Sequence, residues 1–194
     1  MLRHGRSRGP ITTGVCCSTM PKSNILERLK GGDRRSIGRV DEVAAAVSNN
    51  LALFPVLMKG WWSEDPLVRM RTADATEKIT RNQPDLLGRY KKELLGLMAE
   101  AKEPELRWHL AAIVPRLPLD VTERRVVSSL LHNYLEDKSS IVKTSALQAL
   151  ADLASVHPSM QAEVIELLRQ SARSGTPAMK ARSRKLLLRL DQSL

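Results

Sequence analysis

Aromatic residues and cysteines are scarce in this chain of 194 residues, and each shortage excludes a class of protein. Aromatic residues make up 3% of the sequence although apolar residues make up 42%, so leucine and alanine must supply most of the core. That composition favours packed helices over a sheet, where aromatic and β-branched residues concentrate. The two cysteines, Cys16 and Cys17, are adjacent, which excludes a disulfide framework or a cysteine metal site. We therefore expect a reducing compartment, the cytoplasm.

Long apolar runs are also missing. No stretch approaches the roughly 20 apolar residues that a membrane-spanning helix needs, so we expect no membrane span. The segment from Ile11 to Thr19 is short and contains Thr, Gly and Ser, which makes it a poor signal-peptide core. Residues 1–22 lack hydrophobic periodicity and are predicted to be a disordered basic leader, or an upstream extension of a protein that starts at Met20. Residues 23–194 are predicted to form a single domain.

The formal net charge of +10, with a pI of about 10.1, points to an anionic partner such as nucleic acid. The distribution of the charge weakens that interpretation. Residues 1–22 carry +4 and residues 177–194 carry another +4, which leaves +2 on the 154 residues between them. The body of the chain is therefore nearly balanced, and the excess of basic residues lies at its two ends.

Four stretches of the chain share one helical pattern. Each has an apolar anchor residue, and the anchors are spaced by 38, 36 and 37 residues. A basic residue follows each anchor, and apolar or small residues recur four, seven, eight and eleven positions after it. The anchors are Val68, Leu106, Val142 and Met179. A more divergent first copy is anchored at Ser36 and continues with Val40, Val43, Ala44 and Val47. This spacing places the recurring residues on one side of a helix.

Each repeat unit is predicted to be a helical hairpin whose second member carries the pattern. A single hairpin cannot bury its apolar sides, whereas stacked hairpins join those sides into one core. We therefore predict an all-α fold, an α-solenoid or superhelix of about five hairpins. Its helices should include one that Asp33 caps and that runs to about Val47, one over Leu51 to Trp62, one over Leu86 to Ala101, and one capped by Thr122.

The start of the second unit, Asp65-Pro66-Leu67-Val68-Arg69, and the alanine-rich helix after it resemble HEAT repeats, and more loosely the bacterial HEAT-like repeats. The counterpart in the third unit is Glu103-Pro104-Glu105-Leu106-Arg107, while the fourth and fifth units depart from this pattern. The resemblance covers about residues 24–190. It implies a scaffold or adaptor with no obligatory chemistry, in which Asp65 and Arg69 mainly link neighbouring units.

The residue patterns of catalytic sites are missing as well. No two of the four histidines lie at metal-ligand spacing on one helix side, and the sequence has no phosphate-binding glycine loop and no serine-centred nucleophile elbow. We therefore predict that the protein is not an enzyme and has no catalytic residue, no metal site, no cofactor and no small-molecule substrate.

Trp108 is the most informative candidate for a binding role. It lies two residues after an anchor, off the core positions, on the surface that the second helices line. That surface is usually the concave, binding side of a solenoid, and a partly exposed Trp beside Arg is typical of interface anchors. The alternative is that Trp108 only fills space between units. The predicted partner-binding residues are Arg71, Asp74, Lys78, Arg107, Trp108 and Arg116.

The last helix is basic on every side except its leucine stripe. Its candidate residues are Lys180, Arg182, Arg184 and Lys185. We interpret them as a polar cap for the end of the stack, which solenoids need for solubility, or alternatively as a contact for phosphate or an acidic partner.

Two functions follow from these features. We favour a scaffold or adaptor that binds a protein or peptide on its concave surface. The alternative is a nucleic-acid-associated protein, because the resemblance extends to HEAT-like alkylpurine DNA glycosylases, which hold duplex DNA in a basic concave groove and use Trp and Asp around the lesion. Trp108 and Asp74 would take that role here, but the low charge of the body argues against it, and glycosylase activity is not expected. A weaker analogy with HEAT-like bilin lyases finds no specific support in these residues.

Overall fold

The computed structural model describes residues 25–33 and 36–191, so the predicted leader of residues 1–22 lies outside the described part. Every regular element in the described residues is helical, which confirms the predicted all-α fold. The α-helices are α1 Val40–Asn49, α2 Phe54–Met58, α3 Pro66–Thr80, α4 Lys91–Glu100, α5 Pro104–Ile113, α6 Val121–Leu135, α7 Ser140–Val156, α8 Gln161–Ser174 and α9 Pro177–Asp191. Shorter 3-10 segments are Glu27–Leu29, Leu51–Leu53, Lys59–Trp62, Pro84–Tyr90, Val114–Arg116 and Pro158–Met160.

The five patterned helices, α1, α3, α5, α7 and α9, pack side by side in chain order, and each contacts the next. We call them the second helices. α2 with its flanking 3-10 segments packs on α3, α4 on α5, α6 on α7 and α8 on α9, so these pairs form hairpins. The anchors Val68, Leu106, Val142 and Met179 are all buried, as the repeat predicts. This succession of hairpins is compatible with the predicted solenoid.

Short sequence signals start the second helices and connect the units. Asp65 accepts a hydrogen bond from the Leu67 amide at 2.8 Å, and Pro66 occupies the first helical position, where no N–H is needed. Arg69 donates a hydrogen bond of 2.7 Å to the carboxylate of Glu103, which belongs to the next unit. Glu103 precedes α5, but its side chain makes no capping hydrogen bond to that helix. Asp65 thus caps its own helix, whereas Arg69 ties one unit to the next.

The predicted start of the first patterned helix is wrong. α1 begins at Val40 rather than just after Asp33, and the first anchor, Ser36, is exposed and precedes the helix. Gly38, at φ 57°, holds a left-handed turn immediately before α1 and prevents the helix from extending backwards. In the first repeat the anchor position therefore lies outside the helix, whereas the later apolar positions Val40, Val43 and Val47 are helical and buried as predicted.

Three other boundaries also differ from the prediction. The segment from Leu51 to Trp62 is helical throughout but changes from 3-10 to α and back, and the predicted helix over residues 86–101 is a 3-10 helix until Tyr90. Asp120, not Thr122, caps α6. Its carboxylate accepts from the Glu123 amide at 2.8 Å, and the Glu123 carboxylate accepts from the Asp120 amide at 2.8 Å, a complete capping box.

No single helix among the described residues is long and apolar enough to cross a membrane. α1 and the segment from Leu51 to Trp62 satisfy length and composition only when counted together, and they are bent by 118° where they meet.

Candidate functional site

A pocket of about 210 Å³ opens between α3, α5 and the segment that precedes α1, and we call it the α3–α5 pocket. It is lined by Ser36, Ile37, Met70, Arg71, Asp74, Glu105, Trp108 and His109. Three of these, Arg71, Asp74 and Trp108, belong to the predicted partner-binding set. A larger pocket of about 310 Å³ lies between α6, α7, α8 and α9, but it contains none of the predicted site residues.

Trp108 is half-buried and has two kinds of contact. Its indole stacks on the His109 ring, with 3.4 Å between the ring centroids and 28° between the planes, and it also packs against the hydrophobic core. The same side chain lines the α3–α5 pocket. Trp108 therefore packs between units and also lines the pocket, while its role in binding stays a prediction.

His109 is almost fully buried, with 1% of its side chain exposed. Its Nδ1 lies 2.7 Å from the Glu105 carbonyl oxygen. Because a carbonyl can only accept, Nδ1 must carry the hydrogen, and in the neutral ring Nε2 is then a bare acceptor. Nε2 has no hydrogen-bond partner among the described residues, and it lies 3.9 Å from Asp74 Oδ1, too far for a direct hydrogen bond. A buried ring nitrogen without a hydrogen-bond partner among the described residues thus lies beside Asp74.

Asp74 holds a carboxylate between this histidine and a lysine. Oδ2 lies 3.4 Å from Lys78 Nζ, while Oδ1 faces His109. Burial works against ionisation of Asp74, but the His109 ring and the charge of Lys78 outweigh that effect and lower the pKa of Asp74 below its usual value. Asp74 is therefore ionised at neutral pH and pairs with Lys78.

Arg71 corrects one of the predictions. Its side chain is 1% exposed, so its guanidinium is not offered to a partner. It turns towards the chain before α1 and donates four hydrogen bonds to backbone carbonyls. The acceptors are Leu29 at 2.8 Å, Gly31 at 2.5 Å, Asp33 at 3.2 Å and Ser36 at 3.1 Å. Arg71 is a structural link between α3 and the N-terminal segment.

Lys78 and Arg116 are engaged in a regular series of bonds between second helices. Each lies ten residues after its anchor and pairs with a carboxylate on the preceding second helix. The pairs are Lys78 with Asp41 at 2.6 Å, Arg116 with Glu77 at 2.5 Å and, in the last unit, Arg189 with Asp152 at 2.7 Å. Neither Lys78 nor Arg116 lines the α3–α5 pocket, so this part of the predicted partner-binding set is not brought together with Trp108.

Arg107 also points away from the pocket. It donates to the Ala101 carbonyl at 2.8 Å and to the Asp137 carboxylate at 2.5 Å, and its guanidinium lies 5.3 Å from the centre of the Tyr134 ring. Asp137 belongs to the turn before α7, so Arg107 repeats the role that Arg69 has one unit earlier.

The predicted basic cap lies on α9. Arg182, Arg184 and Lys185 are exposed, and Lys180 is half-buried. Arg182 donates to the Gln148 side chain on α7 at 3.0 Å. The four residues line none of the pockets described above.

His109 is one of the pocket residues that were not among the predicted site residues, and a signal for it was present in the sequence. It lies three residues after its anchor, as do Arg71 and Arg182, and all three side chains point to the preceding unit. Among the described residues, no group of three or more His, Cys, Asp or Glu side chains is placed to hold a metal ion.

No protein-family model and no curated protein sequence matches the chain. Among solved structures, the chain is similar to the crystal structure of an engineered protein from the Northeast Structural Genomics Consortium. The TM-score is 0.58 at 16% sequence identity, over 90% of this chain and 86% of that one. A likeness at this identity concerns the helical fold alone.

Proposed function

We propose that this protein is a non-enzymatic scaffold of the HEAT-repeat type that binds a protein or peptide partner in the cytoplasm. The partner would occupy the α3–α5 pocket and the adjoining second helices. The observation that carries this proposal is the pocket itself, which joins the half-buried Trp108 to the half-buried Met70 and to Ile37, whose side chain is 49% exposed. Aromatic and apolar side chains around a concave site are typical of the energetic centre of an interface.

The alternative, binding to nucleic acid, loses support from the placement of the cations. Most affinity for nucleic acid comes from lysine and arginine side chains that contact phosphates. Around the pocket, Arg71 donates to backbone carbonyls, and Lys78, Arg107 and Arg116 each pair with a carboxylate of the same chain. The pocket is also lined by Asp74, an ionised carboxylate that would repel a phosphate.

The proposal is tested by selecting peptides from a random displayed library with the full chain as bait. Binding of the selected peptides is then measured by fluorescence polarisation against the parent, Trp108→Ala and Ile37→Ser. We expect each substitution to weaken binding about tenfold, as truncation of a central interface residue does. Ile37→Ser is included because this exposed side chain can be changed without disturbing the core.

Trp62→Ala is the matched control, since Trp62 is 50% exposed and lies outside the pocket. It should leave the affinity within about twofold of the parent. The proposal is wrong if the library yields no binding peptide, or if Trp62→Ala weakens binding as much as Trp108→Ala. Duplex DNA binding that weakens steeply with salt, in place of peptide binding, would favour the alternative.

A further inference from the structure

We propose that the outward side of α9 binds an acidic amphipathic helix of a partner protein, which packs on α9 as the second helix of a further unit would. The residues on this side are Lys180, Ala181, Arg184, Lys185 and Leu188, and we call them the α9 outer face. This surface shares no residue with the α3–α5 pocket, so it adds a second binding site to the proposed function. Three observations support it: the place of this face in the repeat, its cations without an acidic partner, and its exposed leucine.

The repeat shows which side of a second helix meets the next unit. In α3, the residues nine and twelve positions after the anchor are Glu77 and Thr80. Both accept hydrogen bonds from Arg116, in the 3-10 segment that continues α5. These positions therefore face the following unit. In α9, the residue nine positions after the anchor is Leu188, so this leucine lies on the side where a following helix would pack.

The position five residues after the anchor lies on the same side, because steps of four and seven residues return to one side of a helix. In α3, α5 and α7 this position holds an apolar residue that is fully buried: Ala73, Ala111 and Leu147. In α9 it holds Arg184, which is exposed. An all-apolar helix would desolvate the Arg184 cation without a partner, which is unfavourable. The α9 outer face therefore suits a helix that brings carboxylates.

The charge of α9 selects the same partner. The helix carries five basic residues and one acidic residue, a formal charge of +4. Arg182 and Arg189 donate to side chains of α7. The side chains of Lys180, Arg184 and Lys185 form no ion pair with any described residue. Three uncompensated cations on one helix attract an acidic surface and repel a basic one.

The exposed leucine favours an amphipathic helix over a nucleic acid as the occupant. Leu188 is 65% exposed, the largest exposed fraction of a large apolar side chain among the described residues. Ala181, Arg184 and Leu188 follow one another at spacings of three and four residues, so the leucine and the cations share one stripe. An amphipathic helix covers Leu188 with its apolar side and places its acids beside the cations. A phosphate backbone would pair with the cations but would leave Leu188 uncovered.

The test measures binding of a labelled synthetic peptide to the full chain by fluorescence polarisation. The peptide is a cross-linked helix about five turns long, with a leucine stripe flanked by glutamates. Two comparison peptides replace each glutamate by lysine or each leucine by serine. We expect the acidic peptide to bind saturably, with an affinity at least about tenfold above that of either comparison peptide.

A charge swap on the α9 outer face gives the sharpest result. The double variant Arg184→Glu with Lys185→Glu should weaken binding of the acidic peptide about tenfold and should let the lysine peptide bind instead. The matched control is Arg89→Glu with Lys92→Glu. These two exposed residues also form no ion pair with a described residue, and they lie in the third unit. Because the control changes the net charge equally, it should leave the affinity within about twofold of the parent.

The apolar contact is tested by Leu188→Ser, which should weaken binding of the acidic peptide about fivefold. Val126→Ser on α6 is its control, at a side chain that is 54% exposed, and should leave the affinity within about twofold. Thermal unfolding of every variant checks that it folds. Trp108→Ala, which tests the proposed function, should not change binding at the α9 outer face, so failure of one proposal is distinguishable from failure of the other.

The inference is overturned if the acidic peptide does not bind saturably, if the lysine peptide binds as well to the parent, or if the control charge reversal weakens binding as much as the α9 variant. Duplex DNA that binds through Arg184 and Lys185, while the acidic peptide does not, would make the face a phosphate contact instead. Self-association of the parent that Leu188→Ser abolishes, measured by sedimentation, would make a second copy of the chain the occupant and would also overturn the inference.

Discussion

α3 and α7 occupy the same place in two repeat units, but they are held by different interactions. Both are second helices, and each contacts a second helix on either side. The buried residues of α7 are all apolar: Val142, Ala146, Leu147, Ala149, Leu150, Ala151, Leu153 and Ala154. In α3, five of the nine buried residues are polar or charged: Arg71, Thr72, Thr76, Glu77 and Thr80. The two helices therefore use one template with two kinds of contact.

The comparison shows that the repeat pattern determines the position of a second helix but not the type of interaction that stabilises it. The stability of α7 depends on side-chain volume, because alanine and leucine side chains fill the space between the neighbouring helices. The stability of α3 depends on directional hydrogen bonds. Arg71 donates to carbonyls of the segment before α1, and Glu77 accepts from Arg116. The α3–α5 pocket lies beside the helix of the second kind. We therefore expect that replacing the buried polar residues of α3 lowers stability even when the side-chain volume is kept, whereas α7 accepts apolar replacements of similar volume.

The largest effect is expected from Arg71→Met. The substitution leaves four backbone carbonyls without their charged donor, and we expect the free energy of unfolding to fall by about 4 kcal/mol. Urea titration measures this loss, and amide exchange should show the first loss of protection in residues 25–33 and 36–39. Arg169→Met, at an arginine that is 58% exposed, should change stability by less than about 0.5 kcal/mol. Equal losses in the two variants would contradict the structural role of Arg71.

Leu150→Ala gives the corresponding test of α7. Leu150 is fully buried, and its truncation should cost about 3 kcal/mol through lost burial and the cavity that remains. Leu150→Met, which roughly conserves volume, should cost less than about 1.5 kcal/mol. If urea titration shows that Leu150→Met is as harmful as Leu150→Ala, α7 is not held by volume alone. Leu188→Ala, at a leucine that is 65% exposed, is the control.

Glu77→Gln tests the directional contacts of α3 and should have an effect that depends on pH. Glu77 is buried and accepts from Arg81 at 2.6 Å and from Arg116 at 2.5 Å, so its replacement should cost about 2 kcal/mol at pH 7. Burial opposes ionisation of Glu77, but the two arginines outweigh it and lower its pKa from the ordinary value of 4.5.

Because the folded state holds the Glu77 proton more weakly than the unfolded state does, this contribution to stability is present above pH 4.5 and is lost as the pH falls through the lowered pKa. The difference between parent and Glu77→Gln, measured by urea titration from pH 7 downwards, should therefore shrink in acid. Glu166→Gln on α8, at a carboxylate that is 63% exposed, should stay near zero throughout. A difference for Glu77→Gln that is constant over this range would refute the argument.

The contrast between α3 and α7 also marks what the sequence could predict. The 3.6-residue period placed Val68, Ile79 and Leu153 correctly in the core, because apolar burial follows directly from spacing. The burial of Arg71 did not follow, because its acceptors lie about 40 residues earlier in a segment without periodicity. Spacing alone gives no sign of such a bond. The unpartnered Nε2 of His109 could not be predicted either, because its surroundings depend on the distance between α3 and α5 rather than on residue type.

Some missed features had a readable signal. Asp120 and Glu123 have the three-residue separation of a capping box, and Lys78, Arg116 and Arg189 recur ten residues after their anchors. These charges looked like solvent-facing residues because the acid that each one meets lies in a different unit. Comparing equivalent positions across units, rather than neighbours within one helix, would have suggested the pairs.

The smallest effect is expected from Thr76→Val, at the position where α7 has Leu150. The Thr76 hydroxyl donates to the Thr72 carbonyl at 2.7 Å and accepts from the Trp61 indole N–H at 3.2 Å. Valine has nearly the same shape, so packing is preserved, but the buried indole N–H loses its acceptor and stability should fall by about 1 kcal/mol.

Thr144→Val on α7 is the matched control, because its hydroxyl donates to carbonyls of its own helix, those of Ser140 and Ile141. It should change stability by less than about 0.5 kcal/mol. Urea titration gives both values, and the Trp61 indole proton signal should shift only in Thr76→Val. If both variants are neutral, the polar residues of α3 contribute through shape, as the leucines of α7 do, and the difference between the two helices reduces to the ionic contacts of Arg71 and Glu77.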